Sequence, residues 1–435
     1  MTSTTPSATG PLGQRPWAEL EDFLQQQRSF YDELLTRGLE LDLTRGKPST
    51  AQLDLSDALL SLPRQTRDRA GADTRNYGGL QGIAELREMF ADLLGVDADQ
   101  VVAGGNSSLS MMHGCIVDLL LHGGVDSVRP WASEQHDQST VRFICPVPGY
   151  DRHFTLLESF GIEMVTVPMR ADGPDADAVA ELVAEDSSVK GMWVVPTYAN
   201  PTGSVCSQEV AARLVSMPTA APDFKILWDN AYALHHLGEH EAKSADILGL
   251  ASAGGHPHRP IMFASTSKIT FAGAGVGFLA ASVENVRWYL AHLSKGSIGP
   301  DKVNQLRHAE FFGSADGVRR HMARHREILA PKFAEVERIL AKELGGLEIA
   351  SWTHPQGGYF VSLDVLDGTA ARVVALAKRA GVALTPAGAS YPYGEDPHDR
   401  NIRLAPTFPE LAELTEAMQA VVACVRLAAA EKLAG

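Results

Sequence analysis

Three apolar runs of this 435-residue chain end on polar residues able to do chemistry: VVPTYANPTG near Asn200, ILWDNAY at Asp229 and MFASTSK at Lys268. A fourth stretch, AGGNSSLSMMHGCIVDLL, passes from glycines and hydroxyls, with Asn106 and Ser107 at the junction, into a helical pattern. Backbone N–H groups at such a helix start cradle a phosphate. Alone, each piece has a plainer reading. NPTG is a common turn, Asp229 can cap the following helix, and a loop lysine is usually surface decoration. Together they describe a ligand with a carbonyl for the lysine, a basic nitrogen for the carboxylate and a phosphate for the cradle. Pyridoxal 5′-phosphate has those handles. Its aldehyde can form a Schiff base with Lys268, Asp229 can keep its ring nitrogen protonated, and Asn200 and Tyr232 can hydrogen-bond its ring hydroxyl. The small residues of FASTSKITFAGAGVG around Lys268 let backbone approach such a cofactor closely.

The elements that must position these residues follow α/β logic. QVVAG, VRFICP, EMVTVP, GMWVVP, KILWD, PIMFAS and GFLAAS read as strands, their near-continuous hydrophobicity suiting strands covered on both faces. In an open parallel sheet, ligands bind beyond the carboxyl ends of strands, so the four loops can converge. A helix is expected from Trp17 to Arg37, and a helical connector from Pro300 to Leu344 with a break near Gly313. A smaller α/β unit follows, with strands GGYFVSLDV and NIRLA, a helix AARVVALAKRA and a closing helix from Glu410. The domains expected are 1–60, an arm and helix packing with the small domain; 61–329, the large cofactor-binding domain; and 330–435, the small one.

Composition bounds the function. Hydrophobic residues at 45% and charged residues at 21% suit a globular enzyme. A net charge of −15 without clustered Lys and Arg argues against nucleic acid and anionic membrane as partners. The polar start MTSTTPSATGPLGQRPW lacks a signal-peptide core and reads as a frayed arm. Cys115, Cys145, Cys206 and Cys424 have no ligand spacing and read as buried free thiols, which fits a soluble, cytoplasmic protein. No metal is expected. His321 and His325 share a helix face but sit among arginines, and HHLGEH and HPHRP read as solvated loops.

PTYANPTG, ILWDNAYALHH and STSK, in order and at familiar spacing, resemble the class I aminotransferases of the fold-type I pyridoxal-phosphate superfamily. The likeness runs from LTRGKPS to NIRLAPTF. It implies a large domain with a mostly parallel mixed sheet covered by helices, plus a smaller α/β domain. It also implies that Tyr150 stacks on the cofactor, His153 supports Asp229, Arg403 grips the substrate α-carboxylate and the Gly46 segment closes over the substrate. Tyr77 in NYGGLQG resembles a tyrosine that reaches the neighbouring subunit's phosphate in a homodimer with shared sites. Most of the family has a phosphate-binding arginine near Gly275 or Val276, absent here. Ser265, Ser267, Asn106, Ser107 and Tyr77 are the donors expected in its place. That departure, with LTRGKPS and YGGLQG, resembles a divergent subgroup of aspartate aminotransferases related to the aminotransferase halves of GntR-type regulators.

The resemblance implies amino-group transfer between aspartate and 2-oxoglutarate, with amino acids and 2-oxo acids as partners. Another amino-acid substrate, a lyase or decarboxylase, and a non-catalytic sensor are the alternatives. Retention of Lys268, Asp229 and Arg403 disfavours the sensor. A second cation must read an acidic side chain, and Arg45, Lys295 and Lys302 are the candidates.

Overall fold

All seven expected strands form; six are buried along most of their length, as strands covered on both faces should be, whereas the strand of EMVTVP, toward one edge of the sheet, keeps Glu163, Thr166, Pro168 and Arg170 exposed. The computed structural model describes residues 10–135 and 140–435. In chain order the strands are β1 (Val101–Ala103), β2 (Arg142–Val147), β3 (Glu163–Arg170), β4 (Gly173–Pro174), β5 (Val189–Val194), β6 (Lys225–Asp229), β7 (Pro260–Ser265) and β8 (Gly277–Ala281). They make one sheet in the order β1-β8-β7-β6-β5-β2-β3-β4. The run from β7 to β3 is parallel, β8 is antiparallel to β1 and β7, and β4 is antiparallel to β3. Side chains alternate between two cores. Ile226 and Trp228 face one with Leu86, Phe90 and Leu214; Leu227 faces the other with Met112, Leu119, Phe154 and Val286.

Contacts divide the chain into two units. The larger is Thr50–Ile328 with Gln356–Gly358, and it holds the eight-stranded sheet. The smaller comprises the described residues up to Ser49, Leu329–Pro355 and Tyr359–Gly435. Its antiparallel sheet runs β9 (Ala350–Trp352), β10 (Val361–Val365), β11 (Asn401–Leu404). The helix Trp17–Leu35 packs on the closing helix Leu411–Leu433, and the Tyr31 hydroxyl donates to the Leu376 carbonyl at 2.8 Å.

The arm expected at the start needs correction where it is described. Residues 1–9 lie outside the described residues, but Leu12 is fully buried and its N–H donates to the Leu347 carbonyl at 2.8 Å. One apolar side chain docks the segment. The expected helical break also forms: Lys302–Phe312 ends at Gly313, whose φ of +70° suits glycine, and Ala315–Leu344 follows. The four cysteines are buried and free, with burial pushing the thiols of Cys206 and Cys424 up to about 12. Among the described residues no helix is long and apolar enough to cross a membrane.

Candidate active site

Because β5, β6 and β7 are parallel neighbours, their carboxyl ends deliver Asn200, Asp229 and Lys268 to one edge of the sheet. There they line a cavity of about 180 Å³ together with Ser107, Tyr150, Tyr232, Ser265 and Ser267. Ser107 caps the helix Ser108–His122, its hydroxyl accepting from the Ser110 N–H at 3.4 Å. The helix start, with its free N–H groups, therefore borders the same space as the two serines. Tyr150 is pushed up to about 12, chiefly by burial, so its hydroxyl stays protonated. The Lys268 amine lies 4.8 Å from the centre of the Tyr232 ring.

Asp229 is 4% exposed, and its two oxygens differ. Oδ2 takes a hydrogen bond from His153 Nε2 at 3.0 Å, and the His153 ring stacks on Trp193 at 4.0 Å and 8°. Oδ1 is buried and has no hydrogen-bond partner among the described residues. A buried carboxylate oxygen without a donor is costly, so this atom calls for an N–H or O–H from a ligand.

The turn carrying Lys268 is tight. The Thr266 N–H donates to the Val276 carbonyl, and Thr266 Oγ1 accepts from the Val276 N–H, both at 2.9 Å. A side chain begun at Gly275 would place its Cβ 2.9 Å from Thr266 Oγ1 and 3.2 Å from the Ser267 nitrogen. Val276 is 1% exposed, within the core. A side chain at Gly275 would therefore displace the turn, and Val276 is already packed into the core, so the turn is built around the small and apolar residues present here. Among the cavity-lining residues Lys268 is the only cation.

Other expected residues lie elsewhere. Asn106 is exposed and donates to the Gly273 carbonyl at 3.4 Å instead of lining the cavity. Tyr77 is 82% exposed. Lys302, taken from sequence as a possible carboxylate reader, is buried and spends its amine on the carbonyls of Asn76, at 2.8 Å, and Gly78. Proximity in sequence to a substrate-reading segment was its one credential, and burial removes it. Lys295 is exposed on the helix Val283–Gly296. In the smaller unit Arg45 is exposed, while Arg403 on β11 holds its guanidinium 5.1 Å from the centre of the Phe360 ring. A Cβ on Gly46 would come within 2.4 Å of that same ring, so glycine is required there.

The histidine loops also need correction. His235 in HHLGEH is buried, and His236 Nδ1 lies 2.7 Å from the Tyr198 hydroxyl. His258 in HPHRP meets Ser282 Oγ at 2.9 Å. His321 and His325 are buried too, with their Nε2 atoms 3.1 Å apart. Polar neighbours in sequence suggested water; tertiary hydrogen bonds supply the partners instead.

The sheet, the lysine on its turn and the unpaired aspartate oxygen define an enzyme of the fold-type I pyridoxal-phosphate class, and comparison with known proteins agrees. The family model for aspartate amino-transferase matches residues 17–435. A Mycolicibacterium smegmatis protein assigned to the aminotransferases is 60% identical over 414 residues, 94% of this chain and 96% of that relative. An aspartate aminotransferase of Corynebacterium glutamicum is 55% identical over 406 residues, 93% of each chain. The crystal structure of an aspartate transaminase from that organism superposes with a TM-score of 0.95 at 52% identity, covering 98% of this chain and 100% of the other. The chain belongs to the aspartate amino-transferase family. It is an aminotransferase, and its cofactor is pyridoxal 5′-phosphate.

The residues fit that cofactor. Asp229 Oδ1 can accept from its ring N–H, and the helix start with Ser265 and Ser267 can take its phosphate. When bound, the cofactor supplies an electron-poor ring that draws charge from the substrate α-carbon.

Proposed function

We propose that the protein transfers an amino group between aspartate and 2-oxoglutarate, giving oxaloacetate and glutamate, as a cytoplasmic homodimer. The observation that carries the reading is Asp229 Oδ1, buried and unpartnered in a cavity that also holds the Lys268 amine. A carboxylate there keeps a ring nitrogen protonated, while the lysine amine takes a proton from the substrate α-carbon and returns it during transfer. Asn200, Tyr232 and Tyr150 orient the ring. Arg403 offers a planar fork for the α-carboxylate. Identity at 55% to a relative named aspartate aminotransferase supports the choice of amino acid. Arg45 and Lys295 remain the candidates for reading the second carboxylate. The exposure of Tyr77 supports its use by a partner subunit.

The test has two parts. Borohydride reduction followed by peptide mapping should place the cofactor on Lys268, and Lys268→Ala should bind it without the covalent link and lose turnover. A label on another lysine ends the assignment. An amino-acid panel followed by cofactor absorbance should then show aspartate and glutamate reacting fastest; a neutral amino acid ahead of both refutes the substrate choice.

A further inference from the structure

The turn bearing Lys268 is one helical turn that does not continue: the N–H groups of Ile269 and Thr270 both bond back to the Thr266 carbonyl. The carbonyls at its end point away without helical partners, as at any helix terminus. Histidines meet them. His235 Nε2 donates to the Lys268 carbonyl at 3.3 Å and His321 Nε2 donates to the Ile269 carbonyl at 2.8 Å. The next residue is held through its side chain, Thr270 Oγ1 lying 3.0 Å from His308 Nε2. Three successive residues, beginning with the lysine, are thus gripped by three imidazoles brought from separate parts of the sequence.

Hydrogen positions follow from the partners. A carbonyl oxygen only accepts, so the nitrogens facing Lys268 and Ile269 carry hydrogens. His308 Nδ1 faces the Asn304 carbonyl at 2.7 Å, so its hydrogen sits there and its bare Nε2 takes the hydrogen of the Thr270 hydroxyl. His325 backs His321 from one turn further along the same helix: its Nε2, 3.1 Å from the hydrogen-bearing Nε2 of His321, must be bare, so its hydrogen sits on Nδ1 and the Gln52 amide 3.0 Å away turns its oxygen to it. Burial, the largest cause in each case, pushes His235 down to about 3 and His308 to about 4 and also lowers His321. Neutral rings can donate here without adding a positive charge beside the lysine, as an arginine in their place would.

We infer that His235, His308 and His321 are positioning residues that fix the backbone of Lys268–Thr270, so that the lysine amine travels by side-chain rotation alone. The inference rests on Lys268 being the proton carrier proposed above. Such a carrier works between two atoms set by a rigid site, and a loosened anchor loses rate through misplacement. The role belongs to the backbone these rings hold, and none of them needs to touch substrate.

Three variants of the chain test it. His321→Phe keeps a ring against Phe311 and Phe312, 5.2 and 5.9 Å away, but loses the donor. His321→Gln keeps a donor, and Thr270→Val removes the hydroxyl at constant shape. Amide exchange is read by mass spectrometry on cofactor-free protein, and kcat and KM on the loaded enzyme. Losing one buried hydrogen bond should speed exchange across residues 266–270 about tenfold and lower kcat about tenfold with KM little changed, in both His321→Phe and Thr270→Val. His321→Gln should stand near wild type, and peptides from Ser108–His122 should exchange normally in all three. Unchanged exchange and kcat in the donor-free variants overturns the inference. So does exchange that accelerates everywhere at once, or a glutamine variant no better than phenylalanine. Should His321→Phe not fold, Thr270→Val decides alone. Borohydride mapping of the unaltered chain reports separately on Lys268: a label elsewhere sinks the proposed function, while the exchange data still judge the anchor.

Discussion

Acid should unfold this protein through its buried histidines. His235, His308 and His325 are held near 3, 4 and 3 by burial, against about 6.5 for an exposed imidazole. The sign follows from linkage. Below pH 6.5 the unfolded chain binds protons that the folded chain refuses, so the stability these rings allow is complete above that value. It is lost as pH falls toward 3 to 4. At pH 5, about 1.5 units below the ordinary value and about 1.4 kcal/mol per unit, each ring costs about 2 kcal/mol. The three together cost on the order of 6 kcal/mol, comparable with the roughly 5–15 kcal/mol that holds a typical domain folded. Urea unfolding of the cofactor-free chain from about pH 7.5 to about pH 5 measures it, since carboxylates titrate mostly below this window. The slope at the acid end should correspond to at least about three protons taken up on unfolding, more as His321 contributes, and His308→Gln should remove about one of them. A flat profile over that range would refute the reasoning, because neutral, buried rings cannot coexist with pH-independent stability.

Two further outcomes bear on the site itself. Asp229→Ala should slow the single-turnover proton transfer by several orders of magnitude, while Asp229→Glu should keep part of the rate, read by stopped-flow absorbance; a near-normal alanine variant excludes the electrostatic role. Gly277→Ala would put a Cβ 2.9 and 3.0 Å from the backbone of Ser107 and Ser108, so the helix start must move. A loss of about 1–3 kcal/mol on urea unfolding and faster cofactor loss on dialysis are expected, and unchanged retention would remove that helix start from the phosphate site.

Much of this architecture was legible because continuous apolar runs such as KILWD and PIMFAS have few alternatives to a strand covered on both faces. The polar residues ending those strands were legible for a related reason: parallel neighbours must deliver their carboxyl ends to one edge. Gly173–Pro174 escaped notice because two residues carry no periodicity. The histidine anchor escaped for a different reason. His321 and His325 sit on a helix rich in arginine, and only the packed position of that helix shows that their face is buried. A buried imidazole and an exposed one look alike in sequence until the partner is known, and here the partners of His321 and His308 are 52 and 38 residues away. Lys302 misled in the opposite sense, as a cation that looked available and is already engaged.

That engagement has a consequence for recognition. Tyr77 stands outward between two residues whose carbonyls are tied to one buried ammonium, and Gly299 presses so closely on Gly78 that a Cβ there would lie 2.5 Å from its carbonyl oxygen. The loop beneath the tyrosine is therefore set before anything docks on it. Association with a surface of matching shape forfeits little backbone entropy at this point, because the ordering was completed when the chain folded. What is fixed is the backbone that carries the ring; the ring itself, 82% exposed, keeps its side-chain rotation.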